Sequence, residues 1–256
     1  MDQGEELAMK KTVCVLITVL LMAVLAACGQ ADVQDEPVSA EPSADPAVGG
    51  GPVVGGWEIY AGETAALPDS VKEAFDTATE TLTGAEYIPV ALAGEQVVGG
   101  MNYKIICRQI PSVAELQEDA GTYQVVEIYN DFEGGATITS VRDFDLTAYT
   151  DGAGWKPDNE PIDGGWGVPA EFSAAAIPEN AQAAFDKATA DLEKGKLTPA
   201  ALLATQVVAG TNYMFVCYGS VGVDAPGTYV QIVVVYEDLD GNASITNACT
   251  LDPSVL

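Results

Sequence analysis

The sequence predicts an α+β protein in which one helix packs on an antiparallel sheet of four or five strands, and in which this unit occurs twice. Three observations carry the prediction. The string Gln206-Val207-Val208-Ala209-Gly210-Thr211-Asn212-Tyr213 has a near copy in Gln96-Val97-Val98-Gly99-Gly100-Met101-Asn102-Tyr103. Each copy is preceded by apolar residues at helical spacing, and each is followed by apolar stretches separated by Asp, Asn and Gly. A chain of 256 residues accommodates two such modules in tandem, each of about 100 residues and large enough to bury its own core.

From the start of the chain, Met9-Lys10-Lys11, the apolar run from Thr12 to Val24 and Leu25-Ala26-Ala27-Cys28 have the charged, apolar and small-residue parts of an export signal. The run is too short to span a membrane. Its ending resembles a bacterial lipobox, which implies removal of residues 1–27 and a lipid on Cys28. The protein would then be a lipoprotein on the outer face of the cell membrane; an ordinary signal peptide or a short anchor helix is the plainer reading of the same residues. Residues 28–54 are Ala, Pro, Ser, Gly, Asp and Glu with hardly a large apolar side chain, a composition that cannot form a core and makes an extended tether. Module 1 occupies residues 55–146, a linker with Gly152, Gly154, Pro157 and Pro161 occupies 147–163, and module 2 occupies 164–256.

Within the modules the elements recur in order. Pro68 opens a helix with Val71, Ala74, Phe75, Ala78 and Leu82 on one face, and Pro178 opens one with Ala181, Ala184, Phe185, Ala188 and Leu192. Asp69 and Glu179, directly after the prolines, suit a helix N-terminus. An extended apolar stretch, the glycine-ended turn and a strand from Tyr103 or Tyr213 follow. The last two strands are Thr122–Tyr129 with Ile138–Phe144, and Thr228–Tyr236 with Ile245–Leu251. Their connections, Asn130–Gly135 and Glu237–Asn242, have hairpin-loop composition.

The repeated Gln-Val-Val-x-Gly string resembles the first hairpin of the cystatins, above all of the stefin type, whose members block papain-like cysteine proteases. Cystatins press three neighbouring elements into the target cleft, and the resemblance carries each onto this chain. The N-terminal trunk corresponds to Gly55-Gly56 and Gly164-Gly165, each followed by a tryptophan. The first hairpin corresponds to Gln96, Val97, Val98, Gly99 and Gly100, and to Gln206, Val207, Val208, Ala209 and Gly210. The second hairpin carries Phe132 and Leu239 at its tip, where the family often has proline or tryptophan. The resemblance implies a cell-surface, reversible inhibitor that plugs the cleft beside the enzyme's nucleophile without covalent chemistry. The competing reading is a non-inhibitory binding or structural module that only displays loops. Glu95, Asp131 and Glu133 crowd the first wedge with negative charge, which makes module 2 the better inhibitor.

Composition narrows the rest. Removing residues 1–27 takes Asp2, Glu5, Glu6, Lys10 and Lys11 from the 38 acidic and 10 basic residues, leaving 35 against 8. So anionic a chain does not suit nucleic acid, whose binding needs a basic face. It adds no docking on anionic lipid beyond the acyl chain, and its charge serves solubility in a monomer. There is no histidine, which removes Ser-His and Cys-His catalysis and the commonest zinc ligand. The carboxylates are scattered as a solvated surface would have them, so neither an enzyme nor a cofactor is expected. Asp238-Leu239-Asp240-Gly241-Asn242 begins like a calcium loop, but Cys249 stands where the bidentate Glu is needed, so the stretch reads as a turn. Trp57 and Trp166 could stack on sugars, although contact with a target or with their own module is the simpler role; Trp155 has no assigned role.

Two expectations concern the strands from Tyr103 and Tyr213. Tyr103, Ile105 and Cys107 alternate with Lys104, Ile106 and Arg108, so the charged face should be wet and Cys107 should point inward, as should Cys217 at the same position of the repeat. Pairing of Cys217 with Cys249 is excluded in the cystatin strand order, where an intervening strand would hold them about 10 Å apart. No disulfide is expected.

Overall fold

The structure is a computed structural model that describes residues 55–59, 66–112, 122–150, 164–169, 176–192, 195–221 and 227–256. The export signal, the tether, Cys28, and the linker from residue 151 to 163 with Trp155 lie outside these residues. No helix among the described residues is long and apolar enough to cross a membrane.

The first half contains β1 (Trp57–Glu58), α1 (Asp69–Thr79), β2 (Ala85–Val97), β3 (Met101–Pro111), β4 (Tyr123–Asn130) and β5 (Ala136–Asp143), then a 3-10 turn at Leu146–Tyr149. The second half repeats the order with β6 (Trp166–Gly167), α2 (Glu179–Thr189), β7 (Lys196–Val208), β8 (Gly210–Val221), β9 (Gly227–Glu237) and β10 (Ala243–Leu251). Each half is a 5-stranded antiparallel sheet in simple chain order, β1 to β5 and β6 to β10. The protein is therefore α+β, with one helix on each sheet.

Each helix starts where proline sets its φ, at Pro68 (φ −56°) and Pro178 (φ −54°), with Asp69 and Glu179 against the positive end of the dipole. Val71, Ala74 and Phe75 bury against Leu92, Ile105, Cys107, Val126 and Ile128, while Ala181, Ala184 and Phe185 bury against Leu202, Phe215, Cys217, Val233 and Val235. Leu82 and Leu192 are not part of these faces: the helices end at Thr79 and Thr189, and both leucines stand beyond them, 41% and 42% exposed. The apolar spacing runs one turn past the end of each helix.

The other face of each sheet corrects a larger expectation. Lys104, Ile106 and Arg108 are buried, at 3%, 0% and 6% exposure, and are not on a wet face. The second half covers them. Val90, Ala91, Ala93, Ile106, Tyr123 and Val125 form one continuous core with Ala201, Leu203, Ala204, Met214, Val216, Val230 and Ile232. The two sheets thus pack back to back, and each is apolar on both faces like a sheet inside a larger α/β protein. Small side chains on β2 and β7 let the two strands approach within 8 Å between Cα atoms, closer than the usual spacing of about 10 Å between stacked sheets.

Bulges give this contact its polar fastening. Register shifts fall at Pro89/Ala91 and Leu92/Gly94 in β2 and at the matching Pro199/Ala201 and Leu202/Ala204 in β7, and a bulge leaves backbone groups off the ladder. Tyr218 Oη accepts from the Leu92 N–H at 2.8 Å and donates to the Leu92 carbonyl at 3.1 Å, and Tyr123 Oη donates to the Leu203 carbonyl at 3.0 Å. Each half therefore satisfies buried groups of the other.

The cysteines divide. Cys107 and Cys217 are free and fully buried on the helix side, and burial pushes both thiols far above their ordinary range. Strand β9 lies between Cys217 and Cys249, as the strand order requires. Cys249 is disulfide-bonded, which corrects the expectation of no bridge, whereas the exclusion of Cys217 as its partner holds, since Cys217 is free.

Candidate functional site

At one end of each sheet the chain builds three adjacent elements. The turn between β2 and β3 forms the first tip, with Val97 opposite Met101, and the turn between β4 and β5 forms the second, with Asn130 opposite Ala136. Trp57 pairs with Gln96 and Met101 with Asn130, so the trunk flanks the first hairpin on one side and the second hairpin flanks it on the other. In the second half Trp166 pairs with Gln206 and Thr211 with Glu237, giving the same line of three.

Identical hydrogen bonds hold the trunk. The Gly55 N–H donates to the Val97 carbonyl at 3.0 Å and the Gly164 N–H to the Val207 carbonyl at 3.1 Å. Gln96 Nε2 donates to the Gly55 carbonyl at 2.9 Å while its Oε1 accepts from Asn102 Nδ2 at 2.8 Å; Gln206 and Asn212 do the same at 2.8 and 2.6 Å. The glutamine of the repeated string is a brace whose both ends are in use. Gly55 and Gly164 take φ of +87° and +83°, a conformation in which a side chain is strained.

A tyrosine fastens the two hairpins to each other. Tyr129 Oη donates to the Gly99 carbonyl and Tyr236 Oη to the Ala209 carbonyl, both at 2.7 Å. Gly100 and Gly210 lie under these rings with φ of +153° and +133°, and a Cβ at either would run into the backbone carbonyl of Asn130 or Glu237. The final glycine of the string is thus required by the neighbouring strand. At the second tips the Asp131 carboxylate accepts from the Glu133 and Gly135 N–H groups at 2.8 Å each, and Asp238 accepts from the Asp240 and Asn242 N–H groups at 2.9 and 2.8 Å. The Asn242 side-chain amide, which also donates to Asp238, and these backbone bonds hold the Asp238 carboxyl below its usual range, and the backbone bonds close a turn around Gly134 or Gly241 at positive φ.

With the frames held internally, the tips stand in water. Val207 is 65% exposed, Val208 40%, Phe132 84% and Leu239 83%. Ala209 and Gly99 are also exposed, whereas Val97 and Val98 are half-buried. Large apolar side chains held in water on rigid turns make a surface suited to cover by a partner. Among the described residues no cluster of His, Cys, Asp or Glu has the makings of a metal site.

The tryptophans have separate fates. Trp166 is 3% exposed within the shared core, so it has no face free for a sugar. Trp57 is half-buried, with the Lys104 ammonium 4.3 Å from its ring centroid. Tyr129 and Tyr236 carry no role in the sequence reading, although they recur at the same place in both halves, and Asn102 and Asn212 enter it as members of the repeated string without their bond to the glutamine. Electrostatics also differ between the edges. Glu58 lies opposite Glu95, and burial together with the Glu58 charge raises the Glu95 carboxyl above its ordinary value; the second edge has Gly167 opposite Thr205. No protein-family model matches the chain, and no curated protein matches it.

Proposed function

We propose that this protein is an exported, lipid-anchored, reversible inhibitor of papain-like cysteine proteases, built from two cystatin-like modules. Cys28 carries the anchor, the modules act as a monomer on the outer face of the membrane, and no catalysis is involved. The observation that carries the reading is the alignment of a glycine trunk, a valine tip and a second apolar tip along one edge, with every frame residue braced from within. Such an edge enters a cleft with little ordering to lose on docking. The trunk glycines admit a close backbone approach, and Val207, Val208 and Leu239 supply apolar surface for burial, with about 1.5–3 kcal/mol available for each side chain fully covered.

The second edge is the stronger of the two. Its valines project further into water, and its trunk lacks the opposed Glu58 and Glu95. The test is a titration of papain with the purified full chain. The expected dissociation constant is below about 1 µM, and Val208→Asp, at a tip that supports no core, should raise it by about a hundredfold with the melting temperature unchanged. Absence of inhibition by the parent protein, or indifference to Val208→Asp, would leave the edge as a display surface for some other partner.

A further inference from the structure

The two trunks are anchored by different means. Trp166 is sunk in the shared core. Trp57 lies over a single buried ammonium, that of Lys104, and β1 contributes only two paired residues to its sheet. So short a strand does not hold itself in place. What holds Lys104 comes from the far end of the other half: Lys104 Nζ donates to the Pro253 carbonyl at 2.6 Å.

The segment around Pro253 is fitted to this place. The Asp252 carboxylate accepts from the Ser254 N–H at 2.8 Å and from Ser254 Oγ at 2.7 Å, which fixes the turn. The proline ring then lies against Gly94 of β2, so closely that a Cβ on residue 94 would come 2.6 Å from Pro253 Cβ and 3.4 Å from the Glu58 carbonyl oxygen of the trunk. The repeat has Ala204 at the position of Gly94, so the missing side chain belongs to the first half alone. Farther across the same sheet, Arg142 donates to the Leu256 carbonyl.

We infer that the segment Asp252–Leu256 is a positioning clamp for the trunk of the first edge, seated through Gly94 and acting through Lys104 on Trp57. The second half thereby sets how rigidly the first edge presents Gly55 and Gly56. Burial lowers the Lys104 pKa, and the carboxylates of Glu127 and Asp252 oppose that shift by favouring its charged form. The consequence for protease binding rests on the function proposed above; the clamp itself does not.

Backbone hydrogen exchange on the intact protein tests it, with Gly94→Ala to crowd out Pro253 and Lys104→Met to remove the link while filling its space. Exchange over Gly55–Glu58 should accelerate about tenfold in both variants, with Gly164–Gly167 unchanged. Unchanged exchange at Gly55–Glu58 in both variants overturns the clamp, as does equal acceleration in the two trunks, which would mark general loosening. With the second edge silenced by Val208→Asp, both variants should also weaken papain binding about tenfold through lost preorganisation. Faster exchange with unchanged affinity overturns the positioning role. A parent that does not inhibit sinks the proposed function and leaves exchange to decide the clamp.

Discussion

The two hairpin edges share one frame and differ in what surrounds it. Gln96 and Gln206 make the same bonds within about 0.2 Å of each other, and Tyr129 and Tyr236 reach the same carbonyl at the same distance. Yet the first edge sets Glu58 against Glu95, carries Phe132 at its second tip and has its trunk over Lys104, whereas the second sets Gly167 against Thr205, carries Leu239 at its second tip and sinks Trp166 into the core. The lesson is that hydrogen-bonded geometry is specified locally and survives repetition, while anchoring depends on what the other half offers from behind. The second edge is built in; the first is held on.

The strongest way to break this comparison is to remove the tryptophans. Trp166→Ala should cost about 3–5 kcal/mol, as large buried side chains do, whereas Trp57→Ala should cost about 1 kcal/mol; equal losses in denaturant titrations would refute unequal anchoring. For the same reason the second half expressed alone should be markedly less stable than the whole, since it would bare Trp166, Leu203, Met214 and Val216.

Next in size is an alkaline transition. Tyr149, which packs against the shared core beside Phe144, has its phenol pushed up to about 12 by burial and by the Asp145 charge. Its counterpart at the end of the second half is Leu256, packed against the same core with a side chain that cannot ionise. Because the folded value exceeds the unfolded one of about 10, the contribution is complete below pH 10. It is lost as pH rises toward 12, because the unfolded chain ionises first; up to about 2–3 kcal/mol is at stake. Tyr149→Phe should reduce the fall in stability over that range, and an unaltered profile would show that the ring is not held as described.

Smaller effects sharpen the contrast in the trunks. Gln206→Ala should cost about 1–2 kcal/mol, since Gln206 is 7% exposed and the substitution leaves the Gly164 carbonyl and Asn212 without its bonds. Gln96→Ala, where Gln96 is only half-buried, should cost less. Smallest of all, Glu95→Gln removes one of two opposed carboxylates and should raise the melting temperature by about 1–3 °C. Lowering the pH toward 5 should reproduce the sign in the parent, because the raised Glu95 carboxyl takes up its proton earlier in the folded state than in the unfolded chain. A fall in melting temperature for Glu95→Gln would show that the first trunk is not under charge strain.

Much of the fold was legible along the chain. The spacing of Val71, Ala74 and Phe75 announces a helix, and the repeated string announces a glycine-ended turn, because these patterns report on residues a few positions apart; the trunk beside it comes from the family resemblance. The reading failed where partners are distant. Lys104 and Arg108 looked wet because alternation records which residues share a face and not what covers that face. Tyr123 and Tyr218 gave no sign that they reach across to Leu203 and Leu92, since a backbone group met from another sheet leaves no mark in composition.

By itself, then, the order of residues determined two helices, two sheets, the glycines that end the repeated turns, and the apolar residues beside them. Those features follow from backbone sterics and from periods of two and 3.6, which act over a few residues. Only the tertiary structure decided that the sheets lie back to back, that two cations are buried between them, and that one trunk is sunk in the core while the other depends on Pro253. The physical reason is that burial is a property of the covering surface, and here each sheet's cover is the other half of the molecule.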